Sequence, residues 1–178
     1  MKVLVIGSGG RESCLVWKIS KSDKVDKIYV IPGNPGMEEF AENVDIGIGK
    51  EDFGKILDFV AKKQIDLTVV GPEAPLVDGL VDEFIKKGFM IFGPSKNAAI
   101  LEGSKVFTKE LSCKYNIPTA RSRTFSIDEY GDAIEYLKDI QPPDFPVVIK
   151  ADGLAAGKGV VISGNLQDAV KAVDDCFK

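Results

Sequence analysis

Residues 3–18 read VLVIGSGGRESCLVWK. Four consecutive apolar residues suit a strand covered on both faces. The glycines at 7, 9 and 10 then form a tight turn, and the turn runs into a helix. Strand, glycine turn and helix open a βαβ unit, so this stretch points to a parallel α/β sheet. A dinucleotide fingerprint needs Gly-x-Gly-x-x-Gly here, with the last glycine allowing close packing of helix on strand. It also needs a carboxylate at the end of the second strand. Gly7 and Gly9 fit, but Glu12 stands where the third glycine belongs, and the second strand ends in VIPGNPG (30–36) without a carboxylate.

What survives is a more general anion site. Ser8, Gly9 and Gly10 offer backbone N–H groups at the positive end of a helix, and Arg11 can add a guanidinium contact to a phosphate. Glycine also suits any βα turn on steric grounds, with Arg11 simply solvated, so the turn alone does not assign a ligand.

The alternation continues to about residue 100. Strands are expected at 3–6, 27–31, 44–48, 67–70 and 90–92. Amphipathic helices lie between them, one carrying Phe53, Ile56, Leu57 and Val60, another Leu76, Leu80, Val81 and Phe84. The expected fold class is therefore α/β, a doubly wound parallel sheet. After Pro94 the texture changes. A helix is expected over 104–115, with Phe107, Leu111 and Tyr115 on one face, then a strand at 121–125. Ser126 and Glu129 form a capping box for another helix. QPPDFP (141–146) breaks that helix. A buried strand at 147–150, a glycine-rich loop, a strand at 160–163 and a helix capped by Asn165 complete the chain. The expected division is 1–103, a connecting helix over 104–120, and a second, incomplete unit over 121–178.

Composition narrows the chemistry. The chain is 178 residues long, 44% hydrophobic, with a net charge of −4. That charge argues against a nucleic-acid or anionic-membrane surface. The apolar runs are far shorter than the roughly 20 residues a bilayer span needs, and no signal sequence opens the chain. Three widely spaced cysteines form no disulfide framework and fit a reducing, cytoplasmic setting. The chain has no histidine, which removes Ser-His-Asp and Cys-His nucleophile systems and, with no close cysteine pair, argues against zinc. Lysines, arginines, carboxylates and backbone amides must carry the chemistry.

Two other stretches bear on it. VVIKADGLAAGKGVVI (147–162) imitates a Walker A loop, but only three residues separate Gly153 from Gly157, and Gly159 follows Lys158 where Ser or Thr is required. Its glycines and alanines instead suit a flap able to close over phosphates, with Lys150 and Lys158 as point charges. A hairpin turn with a surface lysine is the plainer alternative. VVGPEAPLVDG (69–79) puts Glu73 at the carboxyl end of a parallel strand, where open α/β sheets bind ligands. Glu73 can accept from sugar hydroxyls, or merely complement a helix N-terminus. Lys96 and Lys105 fall near the expected junction, where a lone lysine is ordinarily solvated.

Taken in order, six stretches resemble one family: IGSGGRE (6–12), PGNPG (32–36), VVGPEAPLVDGL (69–80), FGPSKNAAILEGSK (92–105), YNIPTA (115–120) and PVVIKADGLAAGKGVVI (146–162). The chain is similar to phosphoribosylamine–glycine ligases, ATP-grasp enzymes of purine biosynthesis. The resemblance implies a pre-ATP-grasp α/β domain followed by part of the small ATP-grasp subdomain. It implies ATP and Mg²⁺, with glycine and 5-phosphoribosylamine as substrates. By position, Gly9, Gly10 and Arg11 would cradle the sugar phosphate, with Glu73 nearby on the substrate. Lys105 and Lys150 would contact ATP phosphates, and Gly157, Lys158 and Gly159 would form the flap. The family reads Gly-Gly-Arg-Glu-His in the first loop, whereas here Ser13 stands at the histidine position. The family is more than twice as long, so the chain reads as an N-terminal portion, inactive alone and without its metal ligands. A dehydrogenase-type nucleotide module and a non-catalytic scaffold are the other readings.

Overall fold

The computed structural model describes residues 1–140, 145–155 and 159–177. The order is β1 (Lys2–Gly7), α1 (Gly10–Ile19), β2 (Lys27–Pro32), β3 (Glu42–Asn43), α2 (Phe53–Lys63), β4 (Leu67–Val70), α3 (Glu73–Asp78), α4 (Leu80–Lys86), β5 (Ile91–Phe92) and α5 (Lys96–Gly103). Then follow α6 (Lys105–Lys114), α7 (Tyr130–Asp139), β6 (Val147–Lys150), β7 (Val160–Ser163) and α8 (Leu166–Phe177). The chain divides into two units, 1–103 and 104–178.

In the first unit five strands pair in the order β3-β2-β1-β4-β5, all parallel. The central strand explains why. Val3, Leu4, Val5 and Ile6 are all at most 2% exposed, so β1 buries both faces. Leu4 and Ile6 join Ile56, Val60, Leu80 and Phe84 in one cluster, while Val3 and Val5 join Val16, Ile28, Val30 and Met37 in the other. Each such side chain contributes about 1.5–3 kcal/mol on burial, which favours the most apolar strand at the centre. Strands β2 and β3 lie on one side of β1 and β4 and β5 on the other, so the winding of the sheet reverses after β3 and the switch point falls between β1 and β4. Their carboxyl ends open a crevice at that switch point.

Two expectations in this unit are corrected. The strand expected at 44–48 is instead the two-residue β3, followed by a loop whose bond to β2 runs from Val44 N–H to Val30 O. Val44, Ile46 and Ile48 pack on the core from that loop, so their alternation records burial rather than pairing. The single helix expected around Leu76–Phe84 is two. Gly79 sits at φ +97°, ending α3 with its N–H bonded to Pro75 O and Leu76 O and starting α4.

The second unit holds the antiparallel pair β6–β7, with α8 against it and α7 packed on α8. Its core is Ala133, Leu137, Ala169 and Val173, with Val147 and Ile149 turned toward them. Strand β6 is not buried on both faces as expected: Val148 is 49% exposed and Ile162 on β7 is 70% exposed. No strand forms over 121–125; Phe125 packs on the core from irregular chain, with the Arg123 guanidinium over its ring. Helix α6 starts where expected, with Ser104 Oγ accepting from Phe107 N–H, but Tyr115 is 61% exposed. Both local caps read from the sequence are present. Ser126 N–H donates to Glu129 Oε2 at 2.7 Å, and Asp168 N–H donates to Asn165 Oδ1 at 3.0 Å. The break expected at QPPDFP falls largely on 141–144, outside the described residues. No described helix is long and apolar enough to cross a membrane.

Candidate functional site

Two loops meet at the carboxyl edge of the first unit's sheet. One joins β1 to α1, the other β4 to α3, and hydrogen bonds dock both against the strands. Gly71 N–H donates to Ile6 O at 3.0 Å, and Gly33 N–H, from the loop after β2, donates to Gly7 O at 3.2 Å. The third-glycine position proves to be an interior one. Glu12 is 5% exposed and turns back under the turn, where its Oε2 accepts the Gly9 N–H at 2.7 Å. Its side chain fills space that Cβ atoms would need at Gly7 and Gly71, so glycine is required in both loops because Glu12 lies between them.

This alters the expected donor set. The Gly9 N–H is taken by Glu12, while the first helical bond runs from Ser13 N–H to Gly9 O. The amides of Gly10, Arg11 and Glu12 precede that bond and stand at the helix N-terminus. A Cβ on Gly10 would meet nothing within 4 Å, so its surface is open. Arg11 is 81% exposed in its side chain and donates from Nη1 to Glu73 Oε1 at 2.8 Å. A guanidinium has five N–H donors, so this pair leaves capacity for a phosphate. Glu73 begins α3, and its own backbone N–H and then Arg11 hold its carboxyl below the usual carboxylate range. Gly9, Gly10, Arg11 and Glu73 thus fall in one neighbourhood, as expected.

The sequence reading missed Asn34. From the loop after β2, its Nδ2 donates to Ser8 O at 2.8 Å and Ser13 Oγ at 3.1 Å, while its Oδ1 accepts Gly36 N–H at 2.8 Å. Asn followed by Pro is a turn-forming signal that marks such a side chain. Ser13 Oγ also donates to Gly9 O at 3.2 Å, so the residue at the family's histidine position joins the first loop, through Asn34, to the loop after β2. Asn34→Ala should cut that tie and loosen the first loop. Faster hydrogen exchange at Gly10 and Arg11, with the β1 amides unchanged, is the expected result.

In the second unit the lysines do not share one geometry. Lys105 Nζ donates to Gly153 O at 2.6 Å, fastening α6 to the start of the glycine-rich loop. Lys150 ends β6 with its side chain exposed. Gly157 and Lys158 lie outside the described residues, and Gly159 O accepts Ala151 N–H at 2.9 Å. Asp152 also escaped the sequence reading. Its carboxylate accepts from Lys105 N–H at 2.6 Å, Val106 N–H at 3.2 Å and Ser104 Oγ at 3.0 Å. Burial opposes its charge, but the N–H groups of Val106, Gly153 and Lys105 and the Ser104 hydroxyl prevail, holding it below the usual range. Lys96, by contrast, belongs to the first unit, where its N–H donates to Asp82 Oδ2 at 2.7 Å. A cavity of about 320 Å³ lies at the opposite, amino-terminal end of the sheet, lined by Ser20, Asp26, Lys27 and Glu39 among others, away from all of these groups.

Known proteins agree with this layout. The family model described as "Phosphoribosylglycinamide synthetase, N domain" matches residues 1–102, and that of the ATP-grasp (A) domain matches 103–178. Phosphoribosylamine–glycine ligase of Caldanaerobacter subterraneus subsp. tengcongensis is 51% identical over 178 residues, all of this chain and 41% of the relative. The ligase of Escherichia coli K12 is 50% identical over 177 residues, 98% of this chain and 40% of the relative. The chain thus spans about two fifths of the length of these curated relatives. Among solved structures, the Thermotoga maritima phosphoribosylamine–glycine ligase superposes with a TM-score of 0.70 at 32% identity, covering 96% of this chain and 38% of that one. A biotin carboxylase domain from Hydrogenobacter thermophilus, solved with MgADP, gives 0.74 at 22% identity over 98% of this chain and 40% of that one, a likeness of fold. The chain belongs to the phosphoribosylglycinamide synthetase family.

Proposed function

We propose that this chain supplies the sugar-phosphate contacts, and part of the ATP contacts, of an ADP-forming ligase that joins glycine to 5-phosphoribosylamine in purine biosynthesis. The observation that carries this reading is the Arg11–Glu73 pair beside the open Gly10 turn, at the switch point of the sheet. The guanidinium and the free N-terminal amides suit a phosphate, and the adjacent carboxylate suits ribose hydroxyls. The family's names support the chemistry.

In this reaction a glycine carboxylate oxygen attacks the γ-phosphorus of ATP, and ADP leaves with the bridging oxygen. The phosphoribosylamine nitrogen then attacks the acyl carbon, phosphate departs, and the nitrogen gives up a proton to leave the amide. Positioning and charge neutralisation dominate such transfers, which suits a chain without histidine. Lys150 and Lys105 are the candidates for the ATP phosphates; Lys105 would first release Gly153 O. The described residues contain no group of three or more His, Cys, Asp or Glu that could hold a metal.

The test uses a chain of the relatives' length that carries these residues. ADP release requiring both glycine and phosphoribosylamine is expected, and release independent of either substrate overturns the reading. In that enzyme Lys150→Ala should raise the KM for ATP about tenfold, the low end for a charge-assisted contact because the amine is exposed. Unchanged kinetics would remove Lys150 from the site.

A further inference from the structure

We propose that Glu12 is the positioning residue of the sugar-phosphate turn, a buried carboxylate that sets the loop carrying Arg11 against the loop carrying Glu73. The inference rests on the sugar-phosphate reading above. Glu12 is one of few buried charged or polar side chains among the described residues, at 5% exposure. A carboxylate is costly to bury, so one kept there needs compensation, and the Gly9 N–H supplies a charge-assisted bond at 2.7 Å. Three glycines, Gly7, Gly9 and Gly71, also pass close to its side chain. An added Cβ would stand 2.6 Å from Glu12 Cγ at Gly7, 3.0 Å from Oε2 at Gly9, and closer still to the side chain at Gly71. Gly7 and Gly9 belong to the β1–α1 loop, and Gly71 to the β4–α3 loop. Glu12 is therefore a wedge touching both loops that carry the exposed site residues: it follows Arg11 directly, and Gly71, which it touches, lies two residues before Glu73.

The wedge has a chemical consequence for the ligand. Glu12 takes the Gly9 amide and places a negative charge beneath the turn. A phosphate is therefore kept off Gly9 and meets the amides of Gly10 and Arg11 and the guanidinium beyond them. Glu12 touches no substrate in this scheme; it fixes which donors face outward and how far Arg11 stands from Glu73.

The experiment titrates the 178-residue chain with ribose 5-phosphate, following backbone amide shifts of the glycines and Arg11 together with Gly9 hydrogen exchange. Wild-type protein is expected to bind with shifts centred on Gly10 and Arg11 and with a protected Gly9 amide. Glu12→Ala should expose the Gly9 amide and weaken binding about tenfold or more, the scale of one lost charge-assisted arrangement. Glu12→Gln keeps an oxygen for the Gly9 N–H, and should retain the protection and most of the affinity. Gly71→Ala displaces the wedge without removing it and should weaken binding as Glu12→Ala does, which covers the case in which Glu12→Ala does not fold. Unchanged affinity in a folded Glu12→Ala or Gly71→Ala overturns the proposal, as does a folded Glu12→Gln that keeps Gly9 protected but loses binding. Failure of the wild-type chain itself to bind ribose 5-phosphate instead removes the sugar-phosphate reading, and this proposal with it.

Discussion

Gly7→Ala should be the most damaging single-methyl change in the first loop, and Gly10→Ala, three residues on, should be harmless to the fold. Gly7 ends β1 at φ +127°, a conformation in which a side chain costs about 1–3 kcal/mol. Its new Cβ would also stand 2.6 Å from Glu12 Cγ, and forcing extra atoms into such a packed site costs about 1–3 kcal/mol more. Glu12 cannot step aside freely, because it is buried and bonded to Gly9. Gly10 occupies the first turn of α1 with open space around it, so alanine there should be neutral or gain about 0.5–1 kcal/mol from helix propensity. Urea unfolding of the two variants beside wild type checks this. Equal midpoints for Gly7→Ala and Gly10→Ala would refute the crowding around Glu12. Pairing Gly7→Ala with Glu12→Ala should return part of the lost stability, since the steric share of the cost requires the glutamate; the share due to φ should stay.

That contrast marks how far the sequence could be read. The sheet was legible because its signal is additive: β1 is apolar throughout, and strand and helix alternate with short connections. Periodicity reports burial, however, and pairing is a separate event. Val44, Ile46 and Ile48 alternate like a strand yet reach the core from a loop, because ladder pairing with β2 stops at Asn43 and only the Val44 N–H bonds to β2 beyond it. The 121–125 stretch carries strand-forming residues, but one half-buried aromatic packs on the core without a ladder.

Of the residues proposed for the site, those that face outward, Arg11 and Glu73 among them, are the ones that residue type singles out. Those that face inward are not. Glu12 was read as an absent glycine rather than as a present carboxylate, although Gly9-x-x-Glu12 has the spacing of half a capping box. Asp152 lies 47 residues from the helix it caps, beyond the reach of any local pattern. Ser13 shows the converse: a departure from the family's motif is absorbed by a bond from Asn34, so the position still links two loops.

Asp152→Ala is expected to destabilise the second unit by about 2 kcal/mol at neutral pH. The carboxylate serves as a remote cap for α6, and removing a helix cap costs about 0.5–2 kcal/mol. Bonds from the Ser104 hydroxyl and two backbone amides to a charged acceptor add to that, but the residue is exposed, and water replaces part of what is lost. The effect should depend on pH in a defined direction. Asp152 is held below its ordinary pKa in the folded chain, so its contribution is complete above the unfolded value of about 3.9. As pH falls through the lower folded value the carboxyl protonates and the contribution disappears. Wild type and Asp152→Ala should therefore unfold at well-separated temperatures at pH 7 and converge below about pH 4. Asp152→Asn, which retains an acceptor oxygen but no charge, should fall between them at pH 7 and show a flatter pH dependence than wild type. A gap between wild type and Asp152→Ala that stays constant from pH 7 to pH 3 would show that packing, and not the charged cap, holds α6 to the glycine-rich loop.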